Sequence, residues 1–410
     1  MMKREQYIPF DKEFLAGQLL AESGVDNKGA ENLIKLFDIL ENYFHYEAFN
    51  LNRRLKQHYG LYDPDLSPEQ RSEFLGRSDL SEFRGTLEEV LKRGNYVRVD
   101  QETIDEAFRH SDLIGLKITI DYNDFKDYEI HVRGHHNTRE IVPRFMFFKK
   151  ELEFEYYDRV MILLHYNSAE YFRGKKGSSG KVHFDPDCIV LKIFKRVPKN
   201  DLETIFPNAV PRMSKLDKIL FWVPGIGGGI SLLSTKVIPG LLAMYAAYKA
   251  GESIDLMNSR TGFYQGLIAL GVLGAYLFRQ YSSFMNKKMK FSKILSDSLY
   301  FKNLGNNSGA FYSLLNSSEE EEFKETILAY TFLSRSSQPL TADELDRKIE
   351  QWFMTKLKND IDFDVEDALF KLKNLGLGSE KEGRWEVLPV SKALIRIDEM
   401  WDGIFEYNRK

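Results

Sequence analysis

A single cysteine, Cys188, in 410 residues removes internal disulfides and cysteine-rich zinc sites from consideration. The soluble parts are therefore expected to face a reducing compartment. Excess charge of either sign is also missing: 57 Lys plus Arg stand against 61 Asp plus Glu, a formal net charge of -4. That balance argues against a general polyanion binder and leaves room for a local basic patch. No apolar stretch follows Lys3 and Arg4, because Asp11, Lys12 and Glu13 come at once, so neither a secretory signal nor an Arg- and Ser-rich transit peptide is expected. Catalytic signatures are absent too: no G-x-S-x-G elbow, kinase set or H-E-x-x-H helix occurs. The sequence therefore assigns no catalytic residue, cofactor or metal.

A mean hydropathy of -0.38 hides one local anomaly. Residues 261–278 (TGFYQGLIALGVLGAYLF) carry no charge, and as a helix they reach roughly 27 Å, close to a hydrocarbon core of about 30 Å. Residues 219–248 carry one charge, Lys236, which fits a span at about 230–248 with the lysine near its end. Arg212, Lys215 and Lys218 lie before the first run and Arg279, Lys287, Lys288, Lys290 and Lys293 after the second, with a charge-balanced connector between them. The positive-inside rule then predicts a transmembrane hairpin within 213–283, both termini cytoplasmic. The plainer alternative is a buried helical hairpin. Small residues four apart, such as Gly262 and Gly266, suit packing within the chain or between copies, so a homo-oligomer is open.

Around that anomaly the chain reads as α+β. Region 1–110 is helical, with apolar Leu33, Leu36, Phe37, Leu40 and Phe44 at helical spacing over 32–59 and further helices at 87–92 and 101–109. Region 111–212 holds period-two strands at 116–120, 128–132, 160–166 and 188–194. Their short links favour an antiparallel sheet with helices to one side. In region 284–410 a basic amphipathic helix covers 284–300, and the acidic run 319–322 opens a helix to Leu333, its carboxylates placed where the dipole favours them. A capping box, Thr341 with Glu344, starts the next helix, 364–375 makes a third, and a hairpin turns at Gly383 before a closing helix, 391–405. Three helices and a hairpin are the order of a winged helix. Its groove-reading helix would open Asp364-Val365-Glu366-Asp367, which repels phosphate, so DNA is a disfavoured partner.

Three features resemble ligand sites. The loop 174–181 (GKKGSSGK) departs from a Walker A pattern at Lys175 and Val182, losing the tight turn and the Mg²⁺ hydroxyl, and 225–230 (GIGGGI) fails a dinucleotide fingerprint at Ile230. Five histidines, His131, His135, His136, His165 and His183, fall in the strand region, where Asp185 or Asp187 could complete a metal shell. No metal-specific spacing joins them.

The segments 299–309 (LYFKNLGNNSG), 278–281 (FRQY), 324–330 (KETILAY), 364–369 (DVEDAL), 398–402 (DEMWD), 94–98 (GNYVR) and the 216–229 lead-in resemble the transmembrane protein 143-like family, a domain of unknown function numbered 3754. The resemblance implies two transmembrane segments, mitochondrial association in animal members, and no established activity. Without a transit-like leader, this chain looks like a bacterial member in the cytoplasmic membrane. Within the motif, Asn303, Asn306 and Asn307 are the candidate functional positions, against turn and capping duty. The expected function is a membrane-anchored scaffold or regulatory protein presenting its α+β and winged-helix-like parts to protein partners. The alternative is a membrane-surface enzyme or ligand sensor using the strand region or the 303–307 loop.

Overall fold

The computed structural model describes residues 4–104 except 23, 25 and 101, then 116–175 except 146 and 147, 186–213 and 300–405, with isolated positions between 238 and 293. The helices are α1 (Lys12–Glu22), α2 (Asn27–Tyr59), α3 (Leu80–Arg93), α4 (Ser308–Ser334), α5 (Ala342–Trp352), α6 (Val365–Asn374) and α7 (Val390–Asp402). The strands are β1 (Val97–Arg98), β2 (Leu116–Thr119), β3 (Phe125–Phe145), β4 (Phe148–Tyr166), β5 (Ile189–Pro198), β6 (Val210–Met213), β7 (Asn303–Asn306), β8 (Gly378–Lys381) and β9 (Arg384–Val387). Helices with antiparallel sheets make this an α+β chain, as the periodicities predict.

Two compact units divide it, residues 105–121 with 200–301 forming one and the remainder the other. In the smaller unit β2 pairs antiparallel with β6, Leu116 opposite Met213, and Asn208 donates to the Asp121 carbonyl at 2.8 Å. In the larger, the sheet order is β1-β3-β4-β5-β7, every neighbour antiparallel.

The larger unit has two apolar cores. Met161 and Leu163 of β4 and Leu191 and Ile193 of β5 present one sheet face to α3, the second half of α2 and the first turns of α4. The other core joins α1, the first half of α2, the second half of α4 and the C-terminal helices. Tyr59, buried where α2 meets the sheet, donates its hydroxyl to the Ile189 carbonyl at 2.7 Å. Tyr59→Phe is expected to lower stability by about 1 kcal/mol, seen as a lower urea midpoint at unchanged slope.

Two expectations need correction. Among the described residues no helix is long and apolar enough to cross a membrane. The helices with the length are α2 of 33 residues, charged along its course, and α4 of 27, whose middle carries the charged run 319–325. Most of 230–248 and 261–278 lies outside the described residues. An uncharged run is necessary for a span but not sufficient, and the transmembrane hairpin, the integral-membrane partner and the multi-pass inner-membrane address are withdrawn. The second correction concerns 319–322, which do not open a helix. α4 begins at Ser308, and these glutamates sit at its middle, Glu321 and Glu322 buried.

Other local readings hold. Thr341 with Glu344 forms the capping box of α5. β8 and β9 turn through Glu382 and Gly383, both at positive φ. Leu340 bridges to Trp385, adding a strand residue beside that hairpin. The helix expected over 101–109 and the one over 284–300 fall largely outside the described residues.

Candidate functional site in a belt of buried charge

Between the two cores α4 passes through a layer of polar side chains. Ser317, Ser318, Glu321, Glu322, Lys324 and Glu325 are all buried, an arrangement that water cannot stabilise and that must be satisfied from within. Lys324 Nζ lies 2.5 Å from Glu321 Oε1 and donates to the Ile8 carbonyl at 2.7 Å. Glu321 accepts in turn from the Ile8 N–H at 3.1 Å and the Asn95 amide at 3.1 Å. Asn95, held at φ 55° after α3, also donates to Glu325 at 2.8 Å. The amino-terminal segment is thereby pinned along α4.

On the other side, the Lys371 ammonium from α6 contacts Glu325 and lies 2.7 Å from Asp367 and 3.1 Å from Glu322. Burial pushes the Glu325 carboxyl up to about 8 even though Lys371 pulls it down. Glu322 is raised too, again by burial first. For Lys371 burial works downward, but the attraction of Glu325, Glu322 and Asp367 outweighs it, so its ammonium titrates above the ordinary lysine range. Arg93 closes the belt, donating to Glu47 at 3.1 Å and Glu89 at 2.8 Å.

A cavity of about 250 Å³ opens beside this network, lined by Tyr43, Arg93, Glu322, Asp367, Phe370 and Lys371 among others. Glu322, Glu325 and Asp367 bring carboxylate oxygens within 4.8 Å of one another, close enough for a metal ion. The donor set suits a hard divalent cation, but the Lys371 ammonium already stands among all three, so the chain supplies its own cation. Glu322 Oε1 is at ion-pair distance from that ammonium without hydrogen-bond alignment.

The sequence-derived candidates lie elsewhere. Asn307 is buried: its amide donates to Asp65 at 2.8 Å, its carbonyl oxygen accepts from the Leu191 N–H at 3.3 Å, and its own N–H donates to the Leu191 carbonyl at 2.8 Å. Asn303 donates to Asn306 at 3.0 Å and accepts from the Gly305 N–H at 3.2 Å, shaping β7. These bonds tie β7 and the start of α4 to β5. The histidines are separately engaged: His136 with Asp158 at 2.8 Å, His165 with Asp127 at 3.2 Å, His135 with Glu155 at 3.5 Å. His131 is buried, and that burial depresses its pKa to about 4. Asp187 pairs with Lys126 at 2.5 Å. His183, Asp185, most of loop 174–181 and the glycines of 225–229 lie outside the described residues.

Sequence reading missed the belt. One signal was available: 319–325 (EEEEFKE) runs directly into Thr326-Ile327-Leu328-Ala329-Tyr330, leaving α4 no polar face on which to expose its acids. Against known families, the model described as a protein of unknown function, DUF3754, matches residues 157–309, which take in the second half of β4, β5, β6, β7 and the asparagine motif. The belt on α4 and α6 lies beyond that match. No solved structure matches the chain.

Proposed function

We propose that this chain is a scaffold or regulatory protein that meets protein partners through its C-terminal helices, read as a winged-helix-like module turned to protein contact. The observation that carries the reading is an aromatic cluster at the end of α7. Trp401 and Phe405 approach Tyr46 of α2 with ring centroids 6.3 and 5.7 Å apart, yet Phe405 remains 59% exposed. Beside them runs an open groove of about 450 Å³ lined by Tyr43, Leu51, Met400 and Ile404. Aromatic anchors next to a groove are the usual energetic centres of protein interfaces. DNA binding is disfavoured because Asp364, Glu366 and Asp367 open α6, and its Lys371 is spent on buried carboxylates. The finer kinship, with the transmembrane protein 143-like family, is part of this proposal and adds no activity.

Crosslinking mass spectrometry of the tagged full chain tests it. Partner crosslinks should map to α2 and α7 and fall about tenfold or more in a Trp401→Ala/Phe405→Ala variant. Undiminished crosslinking in that variant, or retention of the wild type on duplex DNA at physiological salt, refutes the reading.

A further inference from the structure

Residues 4–10 belong to no helix or strand, yet their backbone is held as that of a bound peptide is held. The Asp362 N–H donates to the Glu5 carbonyl at 2.9 Å and the Asn95 amide to the Gln6 carbonyl at 3.3 Å. Lys324 donates to the carbonyls of Ile8 at 2.7 Å and Phe10 at 3.3 Å, while the Ile8 N–H donates to Glu321 at 3.1 Å. Main-chain bonds of this kind give affinity, and side chains give selectivity. Arg4 meets Glu350 at 2.9 Å, Asp362 at 3.1 Å and Asp360 at 3.5 Å. The Arg133 guanidinium lies 4.3 Å from the centroid of the Tyr7 ring, and Ile8 is fully buried.

Two observations make this segment separable from the track it occupies. Lys324 and Glu321, which bind its backbone, lie 2.5 Å from each other, so neither charge is stranded when the segment leaves. Asn95 likewise keeps its bond to Glu325 at 2.8 Å. Of residues 4–10, moreover, Ile8 alone is fully buried and Arg4 is exposed, so opening uncovers little apolar surface.

We infer that this track along α4 and α6 is a groove for an extended protein segment, and that residues 4–10 are its tethered occupant. The partner segment that displaces them carries arginine, tyrosine and isoleucine at the spacing of Arg4, Tyr7 and Ile8. Glu350, Asp360 and Asp362 select the basic residue, and the hole filled by Ile8 selects an aliphatic one four positions later. The groove is separate from the one at α7. A tether holds its occupant at an effective concentration on the order of millimolar, so a free peptide enters when the tethered one is weakened.

Fluorescence anisotropy of a labelled peptide of residues 4–11, titrated with the full chain to about 100 µM, tests this, with circular dichroism to verify folding. Relative to wild type, Ile8→Ala should bind the peptide about tenfold or more tightly and Arg4→Ala about threefold, because the competing occupant is seated less of the time. Arg4→Ala lies at the exposed end of the segment and leaves the core untouched, so it decides the outcome if Ile8→Ala unfolds. A peptide carrying Ile8→Asp should bind the Arg4→Ala chain about tenfold or more weakly than the unaltered peptide. A folded Arg4→Ala chain that captures no peptide, a wild type that binds as tightly as the variants, or an Ile8→Asp peptide that binds undiminished would each overturn the proposal.

Discussion

Lys371→Met is expected to cost about 3 to 5 kcal/mol, measured as a loss of urea midpoint, because it strands carboxylates in the interior. Among the described residues Lys371 is the one cation in contact with Glu322, Glu325 and Asp367 together, and its side chain is 8% exposed. Methionine matches the volume and the apolar stem, so packing alone predicts a small change. The asymmetry between breaking a buried pair and replacing it supplies the control. Lys371→Met combined with Glu325→Met should be more stable than Lys371→Met alone, since one buried carboxyl group left without its partner goes with the cation. If the single variant unfolds at the wild-type midpoint, the belt admits water and is no closed network.

The pH dependence follows from the same residues. Glu325 has its folded pKa raised to about 8, against an ordinary value of 4.5. A carboxyl shifted upward binds its proton more tightly in the folded state, so its contribution is fully present below about 4.5 and is lost as pH rises through about 8. Lys371, raised as well, keeps its contribution throughout that window. Glu325→Gln should therefore flatten the decline in stability between pH 5 and pH 8.5. An unchanged slope would mean that Glu325 is ionised across the whole range.

What the sequence made legible was local chemistry. The Thr341 and Glu344 capping box, the Gly383 turn and the strands within β3, β4 and β5 are each specified by residues a few positions apart. The belt depends on Lys371 meeting Glu325 and on Asn95 meeting Glu321, contacts 46 and 226 residues apart that no periodicity encodes. The acidic run misled for a physical reason. Four consecutive glutamates satisfy the preference of a helix N-terminus equally well whether or not a helix starts there. The uncharged run 261–278 misled similarly, because absence of charge is required of a membrane span without specifying one. Asn303, Asn306 and Asn307 were singled out as candidate functional positions, and the bonds they make are those of turn and strand architecture.

Asn307→Ala is expected to lose about 2 to 3 kcal/mol, while Asn306→Ala, at an exposed position, should change stability by about 0.5 kcal/mol or less. Two causes act at Asn307. Its side chain joins Asp65 to the Leu191 N–H, fixing the first turn of α4 against β5. Its backbone sits at φ 49° and ψ -130°, where a Cβ is strained. Alanine removes the bonds and keeps the strain, whereas glycine removes both, so Asn307→Gly should recover about 1 kcal/mol of the loss. Urea midpoints of the three variants separate the causes. Equal stability of the alanine and glycine variants would assign the whole effect to the hydrogen bonds. A fully stable Asn307→Ala chain would contradict the structural role, because a buried residue that can be truncated without loss is not what holds β7 and α4 to the sheet.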